Sequence, residues 1–341
     1  IVMKHGGIVL ISDSVQFTTR ARIRRSRQPP EMSCFPCAPI RQGRAARAPA
    51  EVKLELSAAT ADSVSVSELL ARHREVIEAT RTIVNSLEGY DASLHDDIFL
   101  LRFLLSHKMN TKAAVKAFGT ALKWRRENGI DMVAAEIRAG MQQHEFPGYT
   151  HIHPHAQMYF VNPTGQQPYM FASAAGLRFG DLMTAVRPAE YVRYTHYVNE
   201  WTFQQCDAAT RKLDRFIKVV RVVDSTGLGW AHAHLGFFRV VAAANKGSED
   251  AYPQLLGAFF LCNAGVTMKR LWESTLRPLL PSRMVDKSQV LRPLQTQEDL
   301  DVLLRWIPRE SLPTQVGGSL RIADEYGRGR GKRGPGDPNH T

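Results

Sequence analysis

Apolar positions recur at helical spacing through the first part of the body and change to short β-branched runs after it. From Ser67 to about Leu87, residues Leu69, Leu70, Val76, Ile77, Ile83, Val84 and Leu87 follow a period near 3.6. That spacing predicts one helix, capped by Ser67 and stopped by Gly89. A second, strongly apolar helix is predicted from Asp96 to His107, through Ile98, Phe99, Leu101, Phe103, Leu104 and Leu105. Asn110 caps a third, with Val115, Phe118 and Leu122 on one stripe, and Asn128-Gly129 ends it. Together they predict a small helical bundle over about 60–135.

After His144 the period shortens. Met158-Tyr159-Phe160-Val161 and Tyr169-Met170-Phe171 read as neighbouring strands joined by the turn signal Asn162-Pro163-Thr164-Gly165. Pro188 to about Cys206 reads as a helix, Phe216 to Val223 as a central strand, Ala231 to Asn245 as a helix and Leu256 to Cys262 as another strand. Such alternation predicts an α/β domain with a mostly parallel sheet over about 145–320.

Composition excludes several classes. The 341 residues are 44% hydrophobic and 23% charged, ordinary for a globular chain. The longest uncharged apolar run, Leu255–Val266, is too short to span a bilayer. The net charge of +11 sits in the two tails. Residues 1–50 carry nine Lys and Arg against Asp13 and Glu31, and residues 326–341 carry four against Asp337, which leaves 51–325 at +1. A nucleic-acid binder should carry its basic excess on the folded body, so no nucleic-acid partner is expected. The Gly/Arg-rich 326–341 tail is expected to be disordered. The Arg-rich, Ser-bearing leader of 1–50 reads as a basic disordered extension, or alternatively as a transit peptide to a plastid or mitochondrion. Four cysteines make no disulfide framework, and Cys34-x-x-Cys37 has no second pair, so a reducing, cytoplasmic setting is expected.

Catalytic and metal signals are thin. His151, His153 and His155, with His144 nearby, would share a face if extended, but no Cys or carboxylate completes a ligand set. Asp224-Ser225-Thr226-Gly227 has no second copy to supply a paired carboxylate. Gly227-Leu228-Gly229 lacks the third glycine or the lysine of a phosphate loop. No enzymatic activity, metal or cofactor is expected.

Four stretches in order carry a resemblance. These are Leu101-Arg102-Phe103-Leu104 with Ala121-Leu122-Lys123-Trp124-Arg125; Val222-Val223-Asp224-Ser225-Thr226-Gly227-Leu228; Tyr252-Pro253 with Leu256-Gly257 and Phe259-Phe260-Leu261-Cys262-Asn263-Ala264; and Ile307-Pro308, Leu312-Pro313 and Gly317-Gly318. The chain resembles the CRAL-TRIO, or Sec14-like, family of lipid-binding proteins over about 60–320. The resemblance implies a helical N-terminal domain, then a sheet-floored apolar pocket for one lipid, closed by a gating helix. At roughly 0.8 kcal/mol per buried CH2, a dozen methylenes contribute about 10 kcal/mol, and no catalytic group is needed.

At the gate position stands Thr267–Leu280, with Met268, Leu271, Trp272, Leu276 and Leu279 on one helical face and Asn263 and Gly265 as the hinge. Basic positions of the phosphatidylinositol-binding members are matched by Lys108 and Lys287, with His107 beside Lys108. Gln254 and Leu255 replace their Glu-Arg pair, and Val219 and Arg221 replace the hydroxyl residues of the phosphatidylcholine pattern. The expected headgroup residues are therefore His107, Lys108, Gln254 and Lys287. The expected partners are a phospholipid or other hydrophobic lipid and a membrane surface, met peripherally by a monomer. Two roles remain open, a carrier between membranes and a sensor that presents its lipid without transferring it.

Overall fold

Two serines compete for the first helix cap, and a distant carboxylate decides between them. The computed structural model describes residues 64–153, 158–161, 168–173, 179–228, 234–280, 282–293 and 297–322. Helix α1 (Val66–Arg72) is capped by Ser65, whose hydroxyl accepts the Glu68 N–H at 3.0 Å. Ser67, the expected cap, instead donates its hydroxyl and its backbone N–H to Asp214. The chain breaks at His73, so the single helix expected to Leu87 is α1 followed by α2 (Arg74–Val84).

The next two helices start where the sequence indicates, the second of them with the expected cap. Asp96 accepts the Phe99 N–H and opens α3 (Asp97–Ser106). Asn110 accepts the Ala113 N–H and opens α4 (Thr111–Glu127). Gly129, at φ 65°, makes the left-handed turn into α5 (Ile130–Arg138). Phe99 to Leu104 are all buried, because α3 is covered on every side.

A short α6 (Tyr149–Ile152) precedes β1 (Met158–Val161) and β2 (Tyr169–Ser173), which pair antiparallel. The Asn162–Gly165 turn between them lies outside the described residues. Then come α7 (Phe179–Ala185) and α8 (Pro188–Leu213), the latter a full 26 residues and longer than the run expected to Cys206. Strand β3 (Val219–Asp224) starts three residues later than expected, with Phe216 and Ile217 buried ahead of it. Helix α9 (Leu235–Asn245), the single turn α10 (Ser248–Ala251), β4 (Leu256–Cys262), α11 (Val266–Leu271), α12 (Ser282–Asp286), β5 (Ser288–Val290) and α13 (Gln297–Leu304) complete the order.

The sheet runs β1-β2-β3-β4-β5, parallel from β2 onward, as the strand–helix alternation predicts. Strand alternation divides its faces. Val220 and Val222 of β3, with Tyr169, Phe171 and Phe260, turn towards α13 and the closing segment through Ile307, Leu312 and Val316. The Tyr169 hydroxyl donates to the Ser311 carbonyl there. Val219, Arg221 and Val223 belong to the opposite, inner face. Val219 and Met170 join a core that is continuous through α8 with the Phe99, Phe103 and Phe118 cluster of the bundle. At the wall between α9 and α10, Gly247 has φ 81°, and a Cβ there would lie 2.5 Å from Trp124 Cδ1. The Trp124 indole N–H donates to the neighbouring Lys246 carbonyl at 2.9 Å, which fixes α4 against this wall.

Candidate functional site

The segment over the inner sheet face changes pitch twice. The single helix expected over Thr267–Leu280 is α11, then a π-helical turn Trp272–Leu276, then a 3-10 turn Arg277–Leu279. Pro278 lacks the N–H an α-helix would use. Met268, Leu271 and Trp272 are buried together against Leu261 and Ala264, with Val223 packed alongside. Trp272 stacks on Phe259, with ring centroids 5.9 Å apart and planes at 16°. Leu276 is half-buried, and the Leu279 side chain lies outside the described residues. The outer side of the segment exposes Val266, Lys269 and Arg270.

The two expected hinge residues differ in restraint. Asn263 is left-handed at φ 55°, and its amide donates to Asp224 Oδ1 at 2.8 Å and to the Gln315 carbonyl at 3.0 Å. Gly265 is extended, and a Cβ there would meet open space. Its carbonyl accepts the Lys269 N–H at 2.9 Å as the cap of α11.

Beside this segment, a cavity of about 100 Å³ opens between the end of α3, α8, β3 and the start of β4. Gln254 and Lys287 both line it. Gln254, left-handed at φ 61°, donates its amide to Ser106 Oγ at 3.0 Å. Lys287 Nζ donates to the Leu256 carbonyl at 2.6 Å. His107 and Lys108 do not line it: His107 Nδ1 is 2.9 Å from the Phe103 carbonyl oxygen, and Lys108 is exposed on the left-handed turn after α3. The structure thus brings two of the four expected headgroup residues into one cavity.

Arg221 also lines the cavity, projecting from β3. Its Nη2 donates to Asn199 Oδ1 of α8 at 2.9 Å, and its buried Nε has no partner. Burial holds its pKa below the ordinary arginine range, because desolvation disfavours the charge. Nearby Tyr191 does not neutralise it, since burial raises that phenol to about 12. Among the described residues, those lining the cavity include two cations, Arg221 and Lys287, and no Asp or Glu. The sequence signal was present: one arginine inside the β-branched run Val219-Val220-Arg221-Val222-Val223.

The remaining candidates resolve as structural. His151 lies in the helical turn α6, not on an extended segment, and pairs with Glu190 at 2.9 Å. His153 stacks on Tyr149, and His155 lies outside the described residues. No group of three or more His, Cys, Asp or Glu suited to a metal occurs among the described residues. Asp224 is consumed by its own turn, accepting from the Thr226 N–H and hydroxyl and from Asn263. Cys206 and Cys262 are buried, which raises both thiols (Cys206 to about 12) and leaves them unreactive. The Cys34–Cys37 pair, the basic leader and the C-terminal tail lie outside the described residues.

Residues 168–318 match the CRAL/TRIO domain. The phosphatidylinositol/phosphatidylcholine transfer protein SFH14 of Arabidopsis thaliana is 27% identical over 71% of this chain and 41% of its own length. This chain thus spans about two fifths of that plant relative. The SEC14 cytosolic factor of Eremothecium gossypii is 24% identical over 76% of this chain and 80% of its own. The Sec14 cytosolic factor of Schizosaccharomyces pombe is 24% identical over 68% and 78%. A solved structure, of Sfh5, aligns over 68% of this chain and 80% of its own at 14% identity, with a TM-score of 0.46.

Proposed function

The chain belongs to the CRAL-TRIO, Sec14-like family, and from that premise we propose that it holds one phospholipid-like molecule on the inner sheet face and carries it between membranes. The Arabidopsis relative is a phosphatidylinositol/phosphatidylcholine transfer protein by name. The observation that carries the proposal is the adjacency of two unlike surfaces. One is an apolar strip of Val223, Phe259 and Leu261 under a segment whose proposed pivot is Gly265, where a Cβ would meet open space. The other is a polar cavity holding Gln254, Lys287 and Arg221.

A cavity of about 100 Å³ accepts a polar group and not two acyl chains. Binding therefore requires Met268, Leu271 and Trp272 to leave the sheet, with acyl chains replacing them on Phe259 and Leu261. Each lost side-chain contact is then replaced by a methylene contact, so opening is driven by the lipid itself. The π-helical turn suits this motion, because such turns are rare and are found frequently at functional sites. The exposed Val266, Lys269 and Arg270 suit contact with an anionic bilayer surface.

The test is transfer of a fluorescent phospholipid from donor to acceptor vesicles. Protein-dependent transfer, slowed when Gly265→Pro stiffens the pivot, is the expected result. Lipid retained by the protein but never delivered would replace the carrier with the presenting role. No lipid bound at all would overturn the proposal.

A further inference from the structure

Two arginines buried among the described residues, Arg102 and Arg125, face carboxylates, and a third, half-buried Arg221, does not. Arg102 pairs with Asp207 at 3.0 Å, and its unpartnered Nε and Nη1 lie near the Phe203 and Phe216 rings. Arg125 pairs with Glu200 and Asp131. Arg221 has one neutral amide oxygen, a buried and unpartnered Nε, and a cavity in front of it. A buried, uncompensated charge is costly, and proteins keep one where a ligand supplies the countercharge.

Building on the lipid-binding reading above, we propose that the ligand is an acidic lipid whose carboxylate or phosphate is bound inside the protein by Arg221. The guanidinium presents a planar fork of donors that matches such oxyanions, whereas a hydroxyl would engage only one of them. Lys287 adds a second positive charge to the same cavity, and Arg221 has no carboxylate among its described partners. A choline group would place a third cation there with no carboxylate to meet it. The cavity also exceeds by several times the roughly 30 Å³ share of one water. That leaves room for a compact oxyanion while the chains lie on the strip opened by the gate segment. Arg221 projects from the middle of a central strand, so its donors are held in place before the ligand arrives.

The experiment uses the full chain at pH 8 with oleate, oleyl alcohol, dioleoyl phosphatidic acid, dioleoyl phosphatidylcholine and inorganic phosphate. Wild type should bind oleate and phosphatidic acid about 10- to 100-fold more tightly than oleyl alcohol and phosphatidylcholine. Arg221→Met should remove that preference by weakening oleate and phosphatidic acid far more than oleyl alcohol, while Arg221→Lys should keep part of it. The ligand-free Arg221→Met protein should melt at or above the wild-type temperature, because it no longer buries an unpaired charge. An Arg221→Met variant that melts several degrees lower would make Arg221 a structural residue and overturn the proposal. A wild type that binds acid and alcohol alike would overturn it and leave the lipid-binding reading intact. Failure of every lipid to bind would overturn both. Stabilisation by inorganic phosphate without any lipid bound would replace the acidic lipid with a soluble anion.

Discussion

Arg125 is buried and Arg221 half-buried, each bonded to a neighbouring residue of α8, and their electrostatics are opposite. Arg125 donates to Glu200 at 2.9 Å and to Asp131 at 2.8 Å, and Glu200 also accepts the Tyr252 hydroxyl at 2.9 Å. Those carboxylates hold the Arg125 guanidinium above the ordinary arginine range despite burial. Arg221, with no carboxylate, is held below it. One group joins α4 to α8 with its charge met by carboxylates and no buried nitrogen left unpartnered. The other keeps donors in reserve beside a cavity. Depth alone does not mark a site; the missing countercharge does.

The largest effect should come from unbalancing the compensated side. Glu200→Gln leaves Arg125 with only the largely exposed Asp131 and should cost about 3–5 kcal/mol in a denaturant titration. A loss below about 1 kcal/mol would break the comparison, because Arg125 would then be as tolerant of solitude as Arg221. Local opening should separate the regions next. In hydrogen exchange, amides of residues 266–276 should exchange about 100-fold faster than those of α4 and α8, since the segment rests on the sheet through few side chains. Equal protection would mean the cover over the inner face does not open. Replacing Arg221 by Met should raise stability by about 1 kcal/mol, the reverse sign of the Glu200 variant. Lys287→Ala should have the smallest effect, weakening oleate by less than about tenfold, because Nζ already has the Leu256 carbonyl as an acceptor. A larger loss would move the anion contact from Arg221 towards Lys287.

Much of this fold was legible where local chemistry decides. The helix start at Asp96, the cap at Asn110, the stop at Gly129 and the strand Leu256–Cys262 follow from residues within a few positions of each other. What was illegible depends on distant partners. Asp214, 147 positions away, takes Ser67 and leaves Ser65 as the cap. The histidine-rich stretch becomes helical because Gly148, at φ 86°, turns the chain and Ile152 buries there. The pitch changes after Leu271 accompany Trp272 settling on Phe259, a contact no periodicity encodes.

The site divides in the same way. Gln254 and Lys287 were legible from family positions and do share a cavity, whereas His107 and Lys108 occupy similar positions and lie outside it. Met268, Leu271 and Trp272 were legible as one helical face. Arg221 stood out in the sequence only as a departure from a pattern. Its meaning required seeing that Asn199, and no acid, stands opposite.

Native mass spectrometry of the intact chain, purified without detergent from a lipid-rich extract, tests the central claim most directly. The account predicts one noncovalent lipid per chain, acidic in its headgroup, lost from Arg221→Met and retained by Lys287→Ala. A chain that emerges empty after incubation with oleate and mixed phospholipids, or one that carries neutral lipids regardless of residue 221, would contradict it.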